Sequence, residues 1–149
     1  MSRLTHDPRR GQRRNTTTGR VLENMVLPAL KHGGYAYWKP KGAIGERIGG
    51  GKHYVDLIAA KNGKKYLISL KWQQVSGTAE QKIPYEVICL AESVEKGDYE
   101  KAYLVLGGPG WKLRNFYVSG GLDKYLKRTE KVKILTLEGF VAKANKGEL

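Results

Sequence analysis

Cysteine is almost absent: Cys89 is the only one in 149 residues. A lone thiol excludes an intrachain disulfide framework and a thiolate zinc site, and it fits a reducing compartment. Cys89 falls on a predicted apolar helix face, where core packing is expected. The three histidines, His6, His32 and His53, lack the spacing of zinc ligands. No apolar run approaches transmembrane length, and no signal-peptide h-region is visible. The chain therefore reads as a cytoplasmic protein (in a bacterial, archaeal, phage-infected or similar cell), with no membrane partner expected. Acids are scarce as well, with 14 Asp+Glu against 27 Lys+Arg, a formal charge of +13. Such a balance says little about fold, but it favours a polyanionic partner, most often nucleic acid, through counterion release and steering.

The basic excess starts at the N-terminus. Residues 1–20 hold six arginines and one acid with no apolar period. Residues 1–17 read as a flexible basic arm in which Arg9, Arg10, Arg13 and Arg14, followed by Arg20, would contact phosphates. Residues 18–149 read as one domain, long enough for a real core. Helix 18–33 has Thr18 as candidate N-cap, Gly33 as stop, and Leu22, Met25, Val26 and Ala29 on one face, with a kink expected at Pro28. Glu23 sits one position off that stripe. YAYWKP, 35–40, reads as a strand. KGAIGERIGGGK, 41–52, is glycine-rich and carries Glu46 and Arg47. It lacks the Gly-Lys-Ser/Thr and the following helix of a phosphate-binding P-loop, so it reads as a mobile loop.

Residues 78–96 are the strongest helical pattern. Thr78 with Gln81 spells a capping box, Gly97 ends it, Ile83, Val87, Leu90 and Val94 form its apolar face, and Pro84 suggests a bend. Strands follow at 101–108 and 132–139, a short helix is expected at 119–128, and the C-terminal FVAKANK reads as a short helix or frayed tail. Trp38 and Trp111 are expected in the core. The element order α-β-β-β-α-β-α-β predicts an α/β domain with a central mixed β-sheet flanked by helices.

The chemistry concentrates in HYVDLIAAKNGKKYLISLKWQ, 53–73. Asn62-Gly63 is the strongest short hairpin signal, a two-residue type I′ turn. That turn sets Asp56 opposite Ser69, with Lys71 two residues along the same face and Gln73 one pleat further. Tyr66, Ile68, Leu70 and Trp72 take the other face, as core. An acid and a lysine so placed make either an ordinary cross-strand ion pair or a metal-dependent phosphodiesterase site. In the second reading Asp56 ligates Mg²⁺, a hard ion that takes oxygen ligands. Lys71 orients or deprotonates the attacking water, or steadies charge on the phosphate, and Gln73 holds a water or a phosphate oxygen.

These residues resemble the signature of the PD-(D/E)XK nuclease superfamily. Tyr54-Val55-Asp56 stands for its first half, Ser69-Leu70-Lys71 for its acid-x-Lys triplet, and Glu23 for its upstream glutamate. The family's αβββαβ core matches the element order. Gln81 and Tyr85 are similar to a Q-x-x-x-Y motif of exonuclease-like branches. The resemblance spans residues 18–108. It implies a restriction-endonuclease-like fold, a Mg²⁺-dependent DNA endonuclease (Mn²⁺ substituting), and DNA as partner. Within the superfamily the small size suggests a site-specific homing or restriction kind, or a structure-specific resolvase. Cutting both strands would need a homodimer or larger assembly.

One departure matters: Ser69 stands where the family has an acid. Three outcomes are open. Glu23 or Glu46 supplies the missing carboxylate; or Asp56 and the Leu70 carbonyl hold one metal; or the site has decayed into a non-catalytic DNA- or RNA-binding module. Lys39, Lys41, Arg47 and Lys52 surround the site in sequence and suit an approaching phosphate backbone.

Overall fold

The structure is a computed structural model and describes residues 16–149. Its centre is a five-stranded mixed sheet ordered β1-β4-β5-β6-β7. The strands are β1 (Ala36–Trp38), β4 (Leu57–Lys61), β5 (Lys64–Trp72), β6 (Lys101–Gly107) and β7 (Val132–Thr136). β1, β4 and β5 pair antiparallel, while β6 and β7 join parallel. A separate two-stranded hairpin, β2 (Gly45–Glu46) with β3 (Lys52–His53), forms in the glycine-rich segment expected to be a loop. The fold is restriction-endonuclease-like, as expected.

The β4–β5 turn is the predicted type I′. Asn62 and Gly63 both have left-handed φ, 54° and 79°, as that turn demands. The register that follows opposes Leu57 to Ile68 and ends there. Asp56 lies just beyond β4 and gives its N–H to the Ile68 carbonyl, one position out of that register, so the expected direct pairing of Asp56 with Ser69 is not part of the ladder.

Both faces of the sheet are covered. On one, Tyr66, Ile68, Leu70, Tyr103 and Val105 pack under Leu22, Val26, Leu30 and Phe140. These last come from a first helical stretch, α1 (Thr16–Val21), a π-helical turn (Leu22–Val26) and α2 (Leu27–His32), and from α5 (Leu137–Asn145). On the other face Ile58, Leu67, Leu104 and Leu106 meet Ile83, Val87, Leu90 and Val94 of α3 (Ile83–Gly97). Cys89 is fully buried there, as expected.

Several local expectations are corrected. Thr18 lies inside α1 and is not its cap, so the helix runs across the expected boundary between residues 17 and 18. The break expected at Pro28 falls upstream, in the π turn. Pro28 has no N–H for the Asn24 carbonyl and its ring crowds that oxygen, and a wider turn before it relieves both. The Thr78/Gln81 capping box does not form: residues 78–82 are 3₁₀-helical behind an extended Gly77, with no side-chain cap. Pro84 stands at the start of α3, where its missing N–H costs nothing, and introduces no bend. The helix expected at 119–128 lies earlier, as α4 (Arg114–Val118), because Gly120-Gly121 turn the chain. The C-terminal segment is an ordered helix with Phe140 fully buried. Trp111 is core, 7% exposed, with its indole N–H on the Gly107 carbonyl, but Trp38 is 43% exposed on an edge strand.

Candidate active site

The site begins where β4 leaves β5. Asp56 still donates its backbone N–H to the Ile68 carbonyl, 3.1 Å. Beyond it the ladder ends, and the Asp56 side chain takes over: Oδ2 accepts the Leu70 backbone N–H at 2.7 Å. In a strand one residue's N–H and C=O face the same neighbour. The Leu70 carbonyl therefore opens into the same fork, beside Asp56. Burial pushes the Asp56 carboxyl above its ordinary value of 3.8; the Leu70 N–H, Lys71 and Lys39 oppose this, and the charge of Glu86 adds to it.

Ser69 and Lys71 project from the α3 side of β5. Ser69 is buried, and its hydroxyl lies 3.4 Å from Glu86 Oε2. Glu86, on α3, was not among the expected site residues. It is buried, and its Oε2 also meets His53 Nε2 at 3.1 Å. His53 Nδ1 in turn meets Ser93 Oγ at 2.8 Å. Burial alone would raise the Glu86 carboxyl, but the His53 hydrogen bond, Lys71 and Arg47 together outweigh it and hold the group below 4.5.

Asp56, Glu86 and Lys71 lie within electrostatic reach of one another. Tyr103 Oη is the one buried side-chain polar atom without a partner among the described residues. Among the described residues Asp56 Oδ1, Glu86 Oε1 and Lys71 Nζ make no hydrogen bond or ion pair. No Asp56–Lys71 ion pair forms within 4 Å, which removes the simple cross-strand salt bridge.

Two clefts flank these groups. One, about 640 Å³, is lined by Asp56, Glu23, Arg20, Lys39 and Thr18. The other, about 370 Å³, is lined by Lys71, Glu86, Arg47, Tyr85, Lys82 and Trp111. Glu23 therefore shares a wall with Asp56. Glu46 does not join them: it lies on β2 opposite Lys52, within electrostatic reach of Lys96 near the far end of α3. Gln73 is buried with its amide on the Gly110 carbonyl at 2.8 Å, a tie between loops. Gln81 is exposed, whereas Tyr85 donates to the Ile48 carbonyl at 2.5 Å and carries Arg47 over its ring. Lys41 and Lys52 are exposed, and Arg9, Arg10, Arg13 and Arg14 lie outside the described residues.

Among the described residues no three His, Cys, Asp or Glu side chains cluster as a metal site. Mg²⁺ does not need three: it keeps several waters and binds through one or two carboxylates. Asp56 Oδ1, Glu86 Oε1 and the Leu70 carbonyl are all hard oxygens, and two of them are unpartnered carboxylate atoms. By chemistry, these are donors of the kind such an ion takes.

A mixed sheet forking at an aspartate, with a lysine on the next strand, defines a nuclease-like α/β domain. A family model described as a PD-(D/E)XK nuclease superfamily domain matches residues 14–148, and the chain belongs to that superfamily. Its members generally use divalent metals, commonly Mg²⁺. Among solved structures the chain is similar to one titled "Crystal Structure of Protein of Unknown Function AF1548", at 14% identity and a TM-score of 0.46. The match covers 74% of this chain and 54% of the other, so this chain spans about half of that structure's length. No curated protein matches the chain. Among the described residues no helix is long and apolar enough to cross a membrane.

Proposed function

We propose that this domain is a Mg²⁺-dependent DNA endonuclease in which Glu86 replaces the acid that Ser69 lacks. The observation that carries this reading is the group of unpartnered atoms at the β4–β5 fork: Asp56 Oδ1, Glu86 Oε1 and Lys71 Nζ, beside the Leu70 carbonyl. Asp56, Glu86 and that carbonyl would hold the metal, with Glu23 acting through water from the neighbouring wall. When bound, the ion supplies Lewis acidity at the scissile phosphate. Asp56 is held rigid by the Leu70 N–H, so its free oxygen needs no reorganisation on binding. Lys71 orients the attacking water and offsets the negative charge that builds on the phosphate. Arg20 and Lys39 in one cleft and Arg47 in the other grip the backbone on either side, joined by Lys41, Lys52 and the arm's Arg9, Arg10, Arg13 and Arg14.

One cleft cuts one strand, so a double-strand break calls for a homodimer or larger assembly on the DNA. Supercoiled plasmid incubated with Mg²⁺, with and without chelator, tests the reading. Nicking or linearisation is expected from the wild type and is expected to vanish in Asp56→Ala, Lys71→Ala and Glu86→Gln while DNA binding survives. A four-way junction run in parallel separates a structure-specific resolvase from a site-specific enzyme. Cleavage that ignores chelator, or full activity in all three variants, would reject the enzyme. The same fold would then be the basic DNA- or RNA-binding module that +13 also suits.

A further inference from the structure

Ser93, His53 and Glu86 form a relay that superficially matches a hydrolase triad. Their burial excludes that use: Ser93 is 3% exposed and His53 is 0% exposed, so no substrate reaches the hydroxyl. The relay points the other way, toward Glu86. Ser93 Oγ meets Nδ1 and Glu86 meets Nε2. A carboxylate oxygen only accepts, so Nε2 donates to Glu86, and Nδ1 pairs with the Ser93 hydroxyl.

We propose that His53 is a positioning residue of the metal site: seated on Ser93, it ties up Oε2 of Glu86 and turns Oε1 toward the metal. This rests on Glu86 being a ligand, as proposed above. Three features support it. Placing three polar side chains inside an otherwise apolar helix–sheet contact costs desolvation that packing alone would not require. Ser69 adds a second donor on the same oxygen, so both contacts leave Oε1 unpartnered. The backbone is also adapted to the relay: a Cβ on Gly45, which pairs with His53 across the small hairpin, would lie 3.0 Å from Ser93 Oγ, so glycine keeps the hydroxyl's place clear. Ligating carboxylates are commonly fixed by such outer partners, whose loss lowers metal affinity 10- to 100-fold.

The test is a heteronuclear NMR titration of the full chain with Ca²⁺ alone, which reads affinity without cleavage, together with imidazole ¹⁵N shifts. In the wild type His53 is expected to carry a proton on Nε2. His53→Leu should weaken Ca²⁺ about 10- to 100-fold, and His53→Gln, whose amide can still donate, should recover most of it. Ser93→Ala keeps the imidazole and its Glu86 contact but removes the seat at Nδ1, and should weaken Ca²⁺ severalfold; this variant decides the matter if His53→Leu does not fold. Ca²⁺ affinity within twofold of wild type in folded His53→Leu, or an unchanged affinity in Ser93→Ala, would overturn the proposal. Glu86→Gln separates the two readings. If it loses Ca²⁺ while His53→Leu keeps it, only the positioning role fails; if it keeps Ca²⁺, Glu86 is no ligand and both fall.

Discussion

The two faces of β5 make opposite use of the same strand. Tyr66, Ile68 and Leu70 look into an apolar layer of aromatic rings, where Tyr35, Tyr66, Tyr103 and Phe140 follow one another edge to face or tilted, 5.6 to 6.2 Å apart. Leu67 looks into α3 in the same apolar way, but one pleat on, the face changes character: Ser69, then Lys71, then Gln73. Ser69 meets Glu86 and the relay behind it, Lys71 acts on Glu86 through its charge, and Gln73 ties down a loop. Burial energy is gathered on the first face and at the turn end of the second. The fork end can then carry desolvated charge that the rest of the core stabilises, a division common where function displaces packing.

Breaking the first face gives the largest expected change. Phe140→Ala removes a fully buried ring from the aromatic layer, and should cost about 3–5 kcal/mol in urea unfolding. The loss should appear in the unfolding midpoint, because Phe140 touches none of the proposed metal donors but holds the layer under Leu22 and Leu70. The second face responds to pH, and with opposite signs at its two acids. Asp56 titrates above 3.8 in the fold, so its contribution to stability is complete below that value and is lost as pH rises through the elevated one. Metal-free Asp56→Asn should therefore match the wild type in acid and be more stable at pH 7. Glu86 titrates below 4.5, so its contribution is present above that value and is lost as pH falls through the depressed one. Glu86→Gln should be less stable than wild type at pH 7. Urea midpoints of the three proteins between pH 3 and pH 7 check the pair of signs; a shift of both variants in one direction would refute the contrast. The smallest effect sharpens the apolar side. Tyr103 Oη is buried without a partner, so Tyr103→Phe should raise stability by about 1 kcal/mol, read as a higher melting temperature.

How much was legible follows from how local each signal is. Asn62-Gly63 and the alternation around it specify the turn, and the turn specifies the register of β4 on β5 as far as Leu57 against Ile68, because a one-residue slip would invert every side chain. The step out of register at Asp56 carries no such local signal. The runs LIAAK, KYLISL and KAYLVLG are apolar enough to read as strands covered on both faces. Glu86 was missed for a reason of scale. It is three residues after Ile83 and four before Leu90, with Ser93 one further heptad on, so an inward-facing acid and hydroxyl were visible in the helical period. What they face is set by how α3 docks on β5, a contact between segments that no short-range rule supplies. His53 was likewise read for zinc spacing, which says nothing about a carboxylate 33 positions away. The small hairpin at 45–53 lacks alternation and is rich in glycine. It is held from outside, by Tyr85 on the Ile48 carbonyl and by the His53 relay, rather than by its own pattern.

The placement of Glu86 on a helix has a biological corollary if it is a ligand. Asp56 and the Leu70 carbonyl come together as soon as two adjacent strands close, but the second carboxylate arrives only when α3 seats against the sheet and His53 is enclosed. A nascent or partly denatured chain that has formed its strands would still lack one of the three proposed donors. Metal binding would then report a completed tertiary structure rather than paired strands alone.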